Sequence, residues 1–281
     1  MSRLDEILNM AKHAPPFPKV TQRVMEMIEN PAVKAQDLAE VIQFDEAITA
    51  NVLKICNAAY FGLSRKVSSL DEALVVIGHD ILKDIIITSS SARFFKGKVG
   101  EGYQLEEGEL WKHSVAVSIM SKQLAKHVKE VDPGTAFTCG LLHDIGKRFL
   151  STFVADEFKK ILEKVAKEKA SLVEAEKEYL GTTHAELGGM ILEQWGFAPE
   201  MQEAVKLHHD PEALRKGPLT ALTALSNVLV VSMGIGVGTV GMATKMRGEG
   251  LKRFGINTLA LDLCMANLIE QMEKAQELLQ I

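Results

Sequence analysis

In almost every long segment of the chain, apolar residues recur at three- and four-residue intervals. No useful run alternates with the two-residue period of a strand. That pattern restricts the chain to helices packed on helices, so the expected fold class is all-α. VTQRVMEMIE places apolar residues at 20, 24, 25, 27 and 28, and Pro31 stops the helix. The same spacing predicts helices over 37–44, 46–57, 111–127, 135–150, 158–168, 172–180, 184–195 and 200–208. LDEALVVIGHDILKDIIITSS aligns Leu74, Ile77, Ile81 and Ile85 on one stripe, and Asp71 and Glu72 suit its first turn. Leu261, Cys264, Met265, Leu268, Met272, Ala275 and Leu279 line a last long helix. GKVGEGYQLEEGE, residues 97–109, has four glycines and little periodicity. It reads as a link between an N-terminal helical unit (residues 1–105) and a larger C-terminal one (106–281).

A chain of 281 residues, 47% of them hydrophobic, can bury one large core or two smaller ones. Its 32 basic and 37 acidic residues give a net charge of −5, which argues against broad attraction to nucleic acid, so no nucleic-acid partner is expected. Cys56, Cys139 and Cys264 are odd in number and far apart, as buried thiols in a reducing compartment would be. MSRLDEILNM is charged throughout and lacks a signal-peptide core, so a cytoplasmic location is expected. Residues 218–244 carry no charge, a run longer than the ~20 residues of a spanning helix. Asn227, several hydroxyl residues and glycines at 234, 236, 238 and 241 fit a buried helix and a Gly-rich turn instead, with no membrane span.

Chemistry concentrates in the histidines. Of eight, His13, His79 and His127 lie on polar stretches. His113, His143, His184, His208 and His209 each border a helix with an apolar face, and LLHDIGK (141–147) sets His143 beside Asp144. One such histidine is ordinarily a hydrogen-bonded core or boundary residue. Five with an aspartate point to a metal. On a helix, His143 and Asp144 would lie about 100° apart and flank one ion. Imidazole with carboxylate suits a divalent transition metal (iron, manganese, zinc or nickel), and Asp144 could bridge two ions. Lys147, four residues after His143, is expected either to neutralise a phosphate or to be a solvated helix end.

His113, His143-Asp144, His184 and His208-His209 resemble the HD superfamily of metal-dependent phosphohydrolases. APPFPKV (14–20), DLAEVIQFDEAITANVLKICNAAYFG (37–62) and VSSLDEALVVIGHDILKDIII (67–87) resemble the related HDOD domain, over about residues 10–270. The resemblance implies an N-terminal helical bundle packed on an HD-like helical domain. It also implies a first metal position at His113 and His143 and a second at Asp144, His184, His208 and His209. Asn227 stands where the superfamily has a final aspartate; a neutral amide there is a weaker ligand. After His208-His209 comes DPEALRKGPL, without the Gly-Tyr-Pro of the cyclic-dinucleotide hydrolases. The expectation is a bacterial signalling regulator with one or two metal ions, binding a phosphorylated small molecule or nucleotide and acting on a protein partner. The alternatives are an active phosphohydrolase or phosphodiesterase, with Asp144 and Lys147 in catalysis, and an interaction module without metal.

Other motifs are weaker. GIGVG (234–238) lacks the strand–turn–helix context of a dinucleotide loop. EAITANVLKIC is too apolar for a DNA-reading helix and is expected to pack in a core. The charges of EKVAKEKASLVEAEKEY (163–179) are expected on a solvated face, with a cap bordering the metal cleft as the alternative, and KMRGEGLKR (245–253) is expected as a basic surface loop, with phosphate capture as the alternative.

Overall fold

The computed structural model describes residues 3–28, 30, 32–57, 66–95, 103, 105–168, 171–235 and 246–279. Among these, every regular element is helical. The chain forms two compact units: residues 16–93 with the C-terminal end of the last helix, and residues 1–15 with 94–273. Helix α1 (Arg3–Lys12) belongs to the second unit. Helices α2 (Lys19–Ile28), α3 (Ala35–Ile42), α4 (Glu46–Cys56) and most of α5 (Leu70–Phe95) build the first.

In the smaller unit, Val24, Leu38, Ile42, Val52, Leu82 and Ile86 are fully enclosed. Helix α4 starts where the Asp45 carboxylate accepts from Ile48 N, an N-cap that satisfies one otherwise orphaned donor. Its Ile48, Val52, Ile55 and Cys56 are buried, as the core-packing reading of EAITANVLKIC requires. The stripe expected on α5 is only partly realised. Leu74, Ile77 and Ile85 are buried, but Ile81 is 37% exposed and Leu82 takes its place inside. The reason is Gly78, whose φ of 72° and ψ of 170° leave the helical region and turn the following face.

The larger unit contains α6 (Glu109–Ala125), α7 (Pro133–Leu142), α8 (Ile145–Glu168), α9 (Leu172–Leu180), α10 (His184–Gln194), α11 (Pro199–Leu207), α12 (Pro218–Ser232), α13 (Met246–Arg253) and most of α14 (Thr258–Leu279). The helix expected over 135–150 is in fact two. Helix α7 stops at Leu142, and α8 begins at Ile145 and absorbs the element expected over 158–168. The apolar rhythm of LLHDIG runs through the break, so periodicity could not reveal it. Helix α7 starts with Asp132 accepting from Thr135 N and Pro133 in the first turn. Helices α6 and α7 approach closely at Gly140, where an added Cβ would lie 2.8 Å from Ser118 Cα and from the Val117 carbonyl oxygen.

Helix α12 explains the charge-free run. Every residue from Leu219 to Val230 is buried, so the helix is enclosed on all sides. No described helix is long and apolar enough to cross a membrane. Most of GIGVG and the remaining glycines at 236, 238 and 241 lie outside the described residues. KMRGEGLKR is not a loop: from Met246 to Arg253 it is helical. The Arg253 guanidinium donates to the carbonyls of Leu214 and, at 2.8 Å, Lys216.

Candidate metal centre

Helix ends bring the site together. His143 follows the last residue of α7, His208 follows the last residue of α11, and His184 opens α10. The Nδ1–H of His143 donates to the Gly140 carbonyl at 2.7 Å, and that of His208 to the Val205 carbonyl at 2.7 Å. Each bond engages a carbonyl of the last turn that the helix cannot pair itself. A carbonyl only accepts, so the proton sits on Nδ1 and Nε2 keeps its lone pair. Helix α10 begins with a reciprocal cap: the Thr183 hydroxyl accepts from Glu186 N at 3.0 Å, and the Glu186 carboxylate accepts from Thr183 N at 3.3 Å. Gly146 makes the junction. A Cβ there would lie 1.9 Å from the His184 carbonyl oxygen, so only glycine lets the starts of α8 and α10 touch.

His143 and Asp144 therefore converge from a break between helices, not from adjacent places on one helix as the sequence suggested. Asp144 is fully buried, and its two oxygens face different partners. Oδ2 lies 3.6 Å from His113 Nε2, 3.4 Å from His143 Nε2 and 2.6 Å from Lys147 Nζ. Oδ1 lies 3.3 Å from His184 Nε2 and 3.7 Å from His208 Nε2. Two groups result, His113–His143–Asp144 and Asp144–His184–His208–His209, each with one donor atom per residue within 4.8 Å of the others. The Nε2 atoms of His143, His184 and His208 and Oδ1 of Asp144 are buried without a hydrogen-bond partner. Lone pairs facing lone pairs in a dry interior are an arrangement that a cation between them would satisfy. The donor set fits a divalent transition metal.

Lys147 is 16% exposed and pairs with Asp144, so it is neither a solvated helix end nor turned away from the centre. Asn227, on α12, reaches His113: its Oδ1 stands 3.1 Å from Nε2. His113 Nδ1 lies 3.1 Å from the Ile235 carbonyl and carries the proton. The contact with Asn227 is then a hydrogen bond only with the amide turned over, its N–H donating to Nε2. Thus His113, His143, Asp144, Lys147, His184, His208, His209 and Asn227 all meet in one place.

Two residues of the centre escaped the sequence reading. Glu176, within the stretch expected on a solvated face, is fully buried. Its Oε2 accepts from His184 Nδ1 at 2.7 Å and from His184 N at 2.8 Å, while Oε1 accepts from the Tyr103 hydroxyl at 2.8 Å. A carboxylate behind a ligating imidazole fixes its tautomer and raises its basicity. The signal was present: Glu176 falls midway between Leu172 and Leu180, four residues from each and on their stripe.

Electrostatics follow from burial and pairing. Burial pushes His113 down to about 3 and His208 to about 4; His209 is lowered as well, by burial and by His208. Burial raises Asp144, but Lys147 and His143 outweigh it and hold the carboxyl well below its ordinary range. Burial lowers His184, but the Glu176 carboxylate reverses the direction.

The HDOD domain matches residues 14–211. An uncharacterized protein of Treponema pallidum (strain Nichols) is 23% identical over 233 residues, 81% of this chain; the chain spans 43% of that protein's length. The crystal structure of an HDOD domain protein with unknown function from Geobacter sulfurreducens superposes with a TM-score of 0.77 at 24% identity, over 98% of both chains. A protein from Shewanella amazonensis SB2B named "Putative phosphohydrolase" gives 0.69 at 24% identity, over 97% of this chain and 94% of its own. The structural likenesses show a shared all-helical fold, and with the match over 14–211 the chain belongs to the HDOD domain family.

Proposed function

We propose that the chain is a regulatory HDOD domain holding one divalent transition metal at Asp144, His184, His208 and His209. There it binds a phosphorylated small molecule or nucleotide, and it signals to a protein partner. The observation that carries the reading is the two-sided Asp144: His184, His208 and His209 gather on one side, while on the other His113 and His143 share their place with the Asn227 amide and the Lys147 ammonium. At the first position, Lys147 already neutralises Oδ2 and the Asn227 amide caps His113. Charge supports one ion. The buried Asp144 and Glu176 against the partly exposed Lys147 leave one negative charge in the centre. One divalent ion turns that into one positive charge, suited to a phosphate; a second would leave three, at a large desolvation cost.

The bound ion supplies Lewis acidity toward a phosphoryl oxygen. The chain's own residues do the rest. Glu176 holds the His184 ring, the Gly140 and Val205 carbonyls hold His143 and His208, and Lys147 offers a cation to the phosphate. The name of the Shewanella relative speaks for phosphate as the ligand class.

A second reading, an active phosphohydrolase, draws on Lys147: a partly exposed ammonium beside the shared carboxylate is what a phosphoryl group under attack needs. Elemental analysis and initial rates on an aryl phosphate ester separate the two. The regulatory reading expects about one ion per chain and negligible turnover, with Asn227→Asp moving the content toward two ions. Brisk wild-type hydrolysis that depends on His113 would put the enzyme first. No metal even after supplementation would sink both.

A further inference from the structure

We propose that Tyr103 is a positioning residue of the metal centre, its hydroxyl coupled to the occupancy of the site. The proposal rests on reading the cluster as a metal site. Tyr103 is an aromatic side chain inside the Gly-rich stretch 97–109, yet it is buried. Its hydroxyl donates to Glu176 Oε1 at 2.8 Å, across 73 residues of sequence. The other oxygen of that carboxylate accepts both His184 N and Nδ1. The far side of the same ring, Nε2, is buried without a hydrogen-bond partner and lies 3.3 Å from Asp144 Oδ1. An unbroken line of hydrogen bonds thus runs from a phenol in the linking stretch to a ligand atom.

The consequence is electronic. A cation on Nε2 draws density from the imidazole and makes Nδ1–H a stronger donor to Glu176. The carboxylate then shares its charge more with His184 and accepts less well from Tyr103, because hydrogen bonds in a chain polarise one another. Conversely, Tyr103 holds the carboxylate in the orientation that faces His184. Removing the hydroxyl leaves that carboxylate one donor short in a buried place.

The test uses zinc, a d¹⁰ ion without absorption of its own in the tyrosine band. The full chain has three tyrosines, Tyr60, Tyr103 and Tyr179, so a metal-induced tyrosine difference spectrum is assignable by substitution. Titrating zinc into metal-free wild type should produce that difference spectrum. Tyr103→Phe should abolish it and weaken zinc about tenfold, the loss typical of a partner behind a ligand. A merely structural tyrosine would lower the melting temperature of Tyr103→Phe but give no metal-linked signal in wild type. Zinc binding by wild type without a tyrosine signal, or with Tyr103→Phe binding equally well, overturns the inference and leaves the metal site standing. The wild-type spectrum decides this even if the variant folds poorly. Failure of wild type to take up zinc, iron, manganese or nickel brings down the metal reading, and the role of Tyr103 with it.

Discussion

Lowering the pH from 7 to 5 should destabilise the metal-free protein through the buried imidazoles. In the unfolded chain His113 and His208 titrate near 6.5; in the fold burial holds them at about 3 and about 4. Below 6.5 the unfolded chain therefore binds protons that the folded chain refuses, and stability falls as pH falls. At pH 5 each ring contributes about 2 kcal/mol of destabilisation, almost independently of whether its folded value is 3 or 4. The pair removes about 4 kcal/mol, a large part of the ~5–15 kcal/mol that holds a typical domain together. His209, lowered too, adds in the same direction. His184 opposes them: its raised value gives stability that is full below the unfolded pKa and is lost as pH rises through the folded one. Asp144 and Glu176 are held low, so their contribution disappears only as pH falls through their folded values, below this window. The net is a loss of about 2–4 kcal/mol between pH 7 and 5. Urea unfolding in the presence of a chelator at pH 7, 6 and 5 measures it. Stability that stays flat or rises toward pH 5 would refute the assignment of neutral, buried imidazoles.

Gly146→Ala should cost about 3 kcal/mol in urea unfolding and lower metal retention, because its Cβ would stand 1.9 Å from the His184 carbonyl oxygen and force α8 from α10. Asp144→Ala should lose the most metal by elemental analysis and His184→Ala less, since Asp144 faces both ligand groups; equal retention would show that the carboxylate is not shared. Glu176→Ala strips the acceptor from His184 N, His184 Nδ1 and the Tyr103 hydroxyl, and should cost about 4 kcal/mol by calorimetry. A cost near zero would place Glu176 in solvent after all.

Helix positions were legible because burying one face leaves its mark every three to four residues, whatever the helix packs against. Helix α9, residues 172–180, emerged with the predicted ends because Ser171 and Glu174 form a local capping box and Gly181 ends it with a positive φ. The breaks were less legible. Gly78 in α5 could have continued the helix, and nothing local to LLHDIG announces a turn. The histidines stood out because imidazoles recur beside apolar faces, and their convergence needed only helix ends to meet. Asn227 drew notice as a ligand position only through the family resemblance: nothing in LTALSNVLV says that α12 presents its amide to His113, 114 residues away.

Glu176 shows why a charge pattern misleads at a site of this kind. In EKVAKEKASLVEAEKEY the surrounding charges describe a solvated helix, and most obey it: Lys164 pairs with Glu178, and Lys177 reaches Glu186. Burying one carboxylate among them is costly unless its oxygens are matched. Glu176 is matched three times, by His184 N, His184 Nδ1 and the Tyr103 hydroxyl, and none of these lies on α9. What offsets the cost therefore lies outside any window centred on Glu176, while the cost itself can be read within it. An acidic residue on an apolar helical stripe is thus best taken as a demand for donors from elsewhere. In a chain with unassigned histidines, the first donor to seek is an imidazole whose other nitrogen faces a metal.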